Sequence, residues 1–119
     1  MIKTINNPMD PMDILFKTIQ KINNINAELI FLSKEQCGGN QGFTQKDSDG
    51  NFLIWINVEL NRQDMLETIA HEAAHIMAKS HDKPEAEQHD AEWKFWFDNI
   101  HKAYLEECIR IGQEMRWQV

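Results

Sequence analysis

The segment NRQDMLETIAHEAAHIMAKS, residues 61–80, constrains the fold of this chain more than any other. Its apolar residues recur at intervals of three and four, which places them on one face of an α-helix. This stripe consists of Leu66, Ile69, Ala70, Ala73 and Met77. Asn61 can cap the helix, and Asp64 stands three residues later, close to a capping box. We therefore predict an amphipathic helix that begins after Asn61 and buries the stripe.

The same helix carries two histidines four residues apart, in the sequence His71-Glu72-Ala73-Ala74-His75. Positions i and i+4 lie on one helix face, so both imidazoles can face one metal ion. Glu72 is about 100° round the helix from His71, beside the ion rather than on it, which suits a base for the attacking water. This spacing is what a two-histidine zinc site requires, although short matches of this kind also occur on inert helices.

A zinc hydrolase needs a third protein ligand, and all five histidines of the chain lie between residues 71 and 101. His89 is the favoured ligand, because the fourteen residues after His75 allow the chain to leave the helix, reverse and return. It also stands at the predicted start of the last helix, whose aromatic residues would anchor it. The alternatives that remain open are His81, Glu85, Glu87 and Glu92, with Cys37 more remote.

The remaining segments predict a small α+β domain. Pro8 and Pro11 interrupt the first residues, so residues 1–10 are predicted to be a flexible N-terminal arm and residues 11–119 a single domain. Asp10 can cap a first helix at 11–24. Apolar, β-prone segments then predict about three strands in a largely antiparallel sheet. These segments are 27–34, 43–46 and 52–60, with Ile54, Ile56 and Val58 on one face of the last.

A last helix is predicted near residues 89–111, ending at Gly112. Its apolar side consists of Trp93, Trp96, Phe97, Ile100, Tyr104, Cys108 and Ile111. At helical spacing these residues are interpreted as core rather than as a substrate-stacking surface. The chain thus reads as helix, sheet, histidine-bearing helix and C-terminal helix.

Composition excludes several classes of protein. The net charge of −7 disfavours direct binding of nucleic acid, which depends on Lys and Arg contacts to phosphates. No apolar run approaches the ~18–20 residues of a membrane span, so no membrane association is expected. The first residues have no apolar signal region, and the two cysteines form no CxxC pair. A reduced, cytoplasmic setting is therefore expected, while the composition indicates no particular oligomeric state.

Three segments in order, NFLIWINVEL, LETIAHEAAHIMA and HDAEW, resemble the core of SprT-like metalloproteases. The resemblance covers about residues 50–97. It implies an edge strand, an active-site helix, and a third histidine that opens a later helix. It also implies a zinc ion held by His71, His75 and His89, with Glu72 as general base.

The sequence departs from the family pattern in two ways. Asp90 stands where many relatives have glycine. The zinc ribbon and the basic DNA-binding tail of many members are missing, which disfavours cleavage of DNA-attached proteins. The core also resembles minimal gluzincin-like proteases, whose third ligand is often a glutamate. Glu85, Glu87 and Glu92 therefore stay open as ligands.

The predicted function is that of a zinc-dependent metallopeptidase acting on a protein or peptide substrate. An edge strand within residues 52–58 is expected to hold an extended peptide by strand addition. Two alternatives remain: a catalytically inactive zincin-like module that associates with protein or nucleic acid, and a zinc hydrolase of a non-peptide substrate.

Overall fold

The computed structural model describes residues 10–23, 25–79 and 89–115, with side chains as far as residue 111. It confirms the predicted small α+β fold, in which one helix precedes three strands and two helices follow them. The elements are α1 (Pro11–Ile22), β1 (Ala27–Leu32), β2 (Gly42–Lys46), β3 (Phe52–Asn57), α2 (Arg62–Ala78) and α3 (Ala91–Met115). The predicted N-terminal arm lies outside the described residues except for Asp10.

Helix α1 begins where the sequence predicts. The Asp10 side chain accepts a hydrogen bond of 2.9 Å from the N–H of Met12, and Pro11 occupies the first helical position. A side-chain acceptor and a residue without an N–H both suit a helix start, where backbone donors lack partners. The helix ends at Ile22, two residues before its predicted end, and it buries Ile14 and Ile19 against the other helices.

The sheet has the order β1-β3-β2, and this order corrects one prediction. Strands β2 and β3 are antiparallel, as expected. Strand β1 pairs with the opposite side of β3 from β2, and β1 and β3 run parallel. Strand β3 is therefore central rather than an edge. It ends at Asn57, so Val58, which we predicted to share a strand face with Ile54 and Ile56, lies beyond the strand and is 44% exposed.

Helix α2 is the central helix of the domain. It packs against β2 and β3 on one side and against α1 and α3 on the other. Every residue of its predicted apolar stripe is buried. Because this stripe is held from both sides, the rotation of α2 about its axis is fixed, and so is the direction of its remaining side chains.

Helix α3 continues to Met115, three residues past the predicted end at Gly112. A glycine inside a helix costs only about 1 kcal/mol relative to alanine, which the rest of a long helix can offset. Ile100, Tyr104 and Cys108 are buried, whereas the large aromatic residues before them are only partly buried against the core. Their interpretation as core residues is therefore only partly right.

Gly42, at the start of β2, allows this strand to lie unusually close to its neighbours. A Cβ atom at Gly42 would lie 2.5 Å from the carbonyl oxygen of Trp55 in β3 and 2.6 Å from Cγ2 of Thr68 in α2. Neither neighbour can easily move, since one is backbone in the central strand and the other a β-branched side chain in the central helix. The contact of β2 with α2 therefore requires glycine at this position.

We predict that Gly42→Ala lowers the free energy of unfolding by about 1–3 kcal/mol, because the added methyl group overpacks the interface of β2 with α2. Urea unfolding measures this change. Gln41→Ala is the matched control, since Gln41 is the exposed preceding residue. Equal stability of both variants would show that the close approach at Gly42 imposes no constraint.

Candidate metal centre

Helix α2 presents His71 and His75 on one face. The Asn61 side chain caps the helix by accepting a hydrogen bond of 2.8 Å from the N–H of Asp64. The buried stripe then fixes the helix rotation, so the two imidazoles point in the same direction one turn apart. Their Nε2 atoms lie 3.1 Å from each other, and His75 is only 5% exposed.

His89 reaches the same place from the start of α3. Asp90 follows it and caps α3: its side chain accepts a hydrogen bond of 3.0 Å from the N–H of Trp93, and its carbonyl accepts one from Lys94. This cap makes α3 begin immediately after His89 and Asp90. The Nε2 atom of His89 consequently lies 3.1 Å from Nε2 of His71. Asp90 thus has a structural function here, as the cap of α3.

Trp93 packs the three histidines together from the α3 side. Its ring centroid lies 5.0 Å from that of His71, 5.6 Å from that of His75 and 4.6 Å from that of His89. Its indole Nε1–H donates a hydrogen bond of 3.2 Å to the backbone carbonyl of His71. Trp93 therefore ties α3 to α2 at the level of the histidines.

The geometry of the histidine cluster, His71, His75 and His89, fits a zinc ion. One ligand atom from each residue lies within 4.8 Å of the other two. Three nitrogens bound to tetrahedral zinc at about 2.0–2.1 Å would be about 3.3–3.4 Å apart, close to the two spacings of 3.1 Å. Burial, and secondarily the charge of His89, lowers the pKa of His71, which favours the neutral imidazole that metals bind.

Glu72 lies beside the histidine cluster in a cavity of about 270 Å³. Asn40, Gln41, Gly42, Glu67, Thr68, His71 and Glu72 line this cavity. The Oγ1–H of Thr44 in β2 donates a hydrogen bond of 2.6 Å to Oε1 of Glu72. Burial raises the pKa of Glu72, while the Thr44 hydrogen bond and the charge of His89 act in the opposite direction. A partly desolvated carboxylate next to a candidate metal site can act as a proton acceptor.

The other candidate ligands are placed as follows. His81, Glu85 and Glu87 lie outside the described residues. Glu92 is exposed in the first turn of α3, and Cys37 is a buried thiol in the loop between β1 and β2. Neither belongs to the cluster of metal-binding groups found among the described residues. Those residues also include no helix with the length and apolarity needed to span a membrane.

Sequence reasoning missed two contacts of this site. Thr44 lies 28 positions before Glu72, and no local pattern connects a strand residue to a helix residue at that separation. Trp93 was recognised as an apolar residue of α3 and as part of the HDAEW segment, but not as the donor of a hydrogen bond to the carbonyl of His71. The one available signal for this contact was the position of Trp93 in the first turn of α3, close to His89, because a half-buried Trp side chain usually finds a hydrogen-bond acceptor.

Comparison with known proteins identifies one family. The family model of the SprT-like family matches residues 23–113, which include all three strands, α2 and nearly all of α3. Searches of curated proteins and of solved structures gave no significant match.

We predict that the purified protein binds about one zinc ion per chain. His71→Ala or His75→Ala should abolish stoichiometric binding, because two side chains cannot hold the ion as three do. Elemental analysis of native protein reconstituted with zinc measures this, with His101→Ala, an exposed histidine of α3, as the matched control. Wild-type protein without stoichiometric zinc would refute the metal site.

A separate experiment tests whether His89 is the third zinc ligand. His89→Ala should weaken zinc affinity strongly in a competition titration with a chelator, because the His89 imidazole lies within the histidine cluster. His81→Ala should leave the affinity nearly unchanged. The reverse ranking would assign the ligand to His81, and indifference to both changes would point to Glu85, Glu87 or Glu92.

Proposed function

The chain belongs to the SprT-like family, and on that premise we propose that it is a zinc-dependent metallopeptidase with Glu72 as its general base. The observation that carries this proposal is the arrangement of four side chains. His71, His75 and His89 converge on one point, and Glu72 stands next to them in a cavity with room for water. A metal site with an adjacent proton acceptor is what hydrolysis of an amide requires.

The proposed reaction divides the work between the metal and Glu72. When bound, the zinc ion would polarise the scissile carbonyl and lower the pKa of the attacking water towards neutrality. Glu72 accepts the proton of that water at a carboxylate oxygen as the oxygen attacks the carbonyl carbon. It then delivers the proton to the leaving nitrogen as the C–N bond breaks, which releases an acid and an amine. Its partial desolvation strengthens it as a base.

We propose that the substrate is an extended peptide segment that pairs with β2. Our sequence-based choice, the strand within residues 52–58, is excluded because β3 is central. In the sheet as described, β2 pairs with β3 on one side, and its other side is an edge. Thr44 places this strand within hydrogen-bonding distance of Glu72. A peptide added to β2 would therefore run past the histidine cluster, with its backbone held by strand hydrogen bonds.

The position of β2 favours a peptide over a non-peptide substrate, because an edge strand recognises the repeating amides of an extended chain. The net charge of −7 continues to favour a protein partner over nucleic acid.

We predict that Glu72→Gln separates metal binding from catalysis. The substitution keeps the shape of the side chain, so the fold and the zinc content should survive. It removes the proton acceptor, so peptide hydrolysis should fall by at least about a hundredfold. Cleavage of an unfolded protein and of a broad peptide library, followed by mass spectrometry, measures the activity.

Glu106→Gln is the matched control, since it makes the same chemical change at an exposed position of α3. Its activity should equal that of the wild type. Undiminished cleavage by Glu72→Gln would remove Glu72 from the mechanism. A wild type that binds zinc but cleaves no peptide in the library would favour a non-catalytic binding module.

A further inference from the structure

Thr44 makes a short hydrogen bond to the carboxylate that the proposed mechanism uses. Its Oγ1 atom lies 2.6 Å from Oε1 of Glu72, to which its hydroxyl donates, and both side chains are partly buried. We propose that Thr44 is a positioning residue for Glu72: it holds one carboxylate oxygen so that the other faces the attacking water. This proposal rests on the proposed function, in which Glu72 is the general base.

The sheet fixes the position of Thr44 independently of Glu72. Thr44 pairs with Ile54 of the central strand, and Ile54 is fully buried. The preceding residue, Phe43, stacks on Trp55 with ring centroids 5.6 Å apart. Because neighbouring side chains of a strand point to opposite faces, this stack directs Thr44 towards α2. The hydroxyl is thus supplied by the sheet, at a position independent of Glu72.

Gly42 determines how close the Thr44 hydroxyl lies to α2. The close contact at Gly42, with Trp55 on one side and Thr68 on the other, brings β2 against α2 two residues before Thr44. A side chain at position 42 would hold the strand away from the helix and lengthen the Thr44–Glu72 hydrogen bond. Gly42 and Thr44 therefore act together: Gly42 permits the close approach of β2 to α2, and Thr44 donates its hydrogen bond to Glu72 across that contact.

A glutamate needs such support because its side chain has several rotatable bonds and loses considerable entropy when it is ordered. Catalytic groups must be held to within about 0.5 Å of the productive geometry by surrounding packing and hydrogen bonds. The Thr44 hydroxyl is a donor that orients the carboxylate without neutralising it, so the second oxygen remains able to accept a proton.

Two substitutions at Thr44 separate positioning from structure. Thr44→Val keeps the shape and the strand preference but removes the donor, whereas Thr44→Ser keeps the donor. Thr18→Val is the matched control, because Thr18 is a buried threonine of α1 whose Oγ1 donates a hydrogen bond of 2.8 Å to the carbonyl of Ile14. Each variant is assayed for zinc affinity, kcat and KM with a peptide that the wild type cleaves.

Thr44→Val should lower kcat about ten- to a hundredfold, the scale of lost support for a catalytic group, and leave KM and zinc affinity nearly unchanged. Thr44→Ser should restore kcat to within about twofold of wild type, since the donor is present. Thr18→Val should leave kcat unchanged. A Thr44→Val variant with the kcat of the wild type would overturn the positioning role of Thr44 and leave the proposed function unaffected. A zinc-loaded wild type that cleaves nothing would overturn the proposed function, and the role of Thr44 with it.

A second measurement does not depend on activity. Urea unfolding of the wild type, Thr44→Val, Glu72→Ala and the double variant shows whether the two side chains interact. Thr44→Val should lower the urea midpoint of the protein that contains Glu72 and should have a smaller effect in Glu72→Ala. Equal shifts in both backgrounds would show that the hydrogen bond is absent in solution and would overturn the proposal.

Discussion

Three imidazole nitrogens, two from helix α2 and one from the turn that precedes α3, meet at one point, and the rest of the domain is arranged to allow this. Two of them come from consecutive turns of α2 and need only helical geometry. The third depends on the contact of α3 with α2, where Asp90 caps the start of α3 and the Trp93 indole N–H donates a hydrogen bond to the carbonyl of His71. The neutral form of the His71 imidazole, which a metal requires, is favoured by the same packing, because burial lowers the pKa of His71.

The sheet contributes to the site from the opposite side of α2. Strand β2 lies at its edge, and Gly42 lets it approach the helix closely enough for Thr44 to reach Glu72. The same edge position makes β2 the strand to which an extended substrate can add. Orientation of the base and alignment of the peptide would thus depend on one short strand.

The candidate site shows which kinds of information a single sequence carries. His71, Glu72 and His75 could be identified because their spacing follows directly from the helical repeat. The convergence of His89 with them was anticipated from its spacing after His75 and from the resemblance, whereas the cap that Asp90 forms next to it was not predicted. Thr44 was not predictable, since its contact depends on strand order.

Strand order itself was the weakest part of the prediction. The apolar segment of β3 was read correctly as a strand, yet its place in the centre of the sheet depends on a crossover that short-range turn signals do not encode. The error moved the expected substrate edge from β3 to β2. The end of α3 was misplaced for a related reason, because glycine is a local stop signal that the packing of a long helix overrides.

An anomalous-scattering crystal structure of the zinc-reconstituted protein, recorded at the zinc edge, tests the central claim most directly. The predicted result is a single peak per chain about 2.0–2.1 Å from the Nε2 atoms of His71, His75 and His89, with the fourth position open to water. A peak elsewhere, or a fourth protein side chain that closes the site, would contradict a catalytic zinc centre.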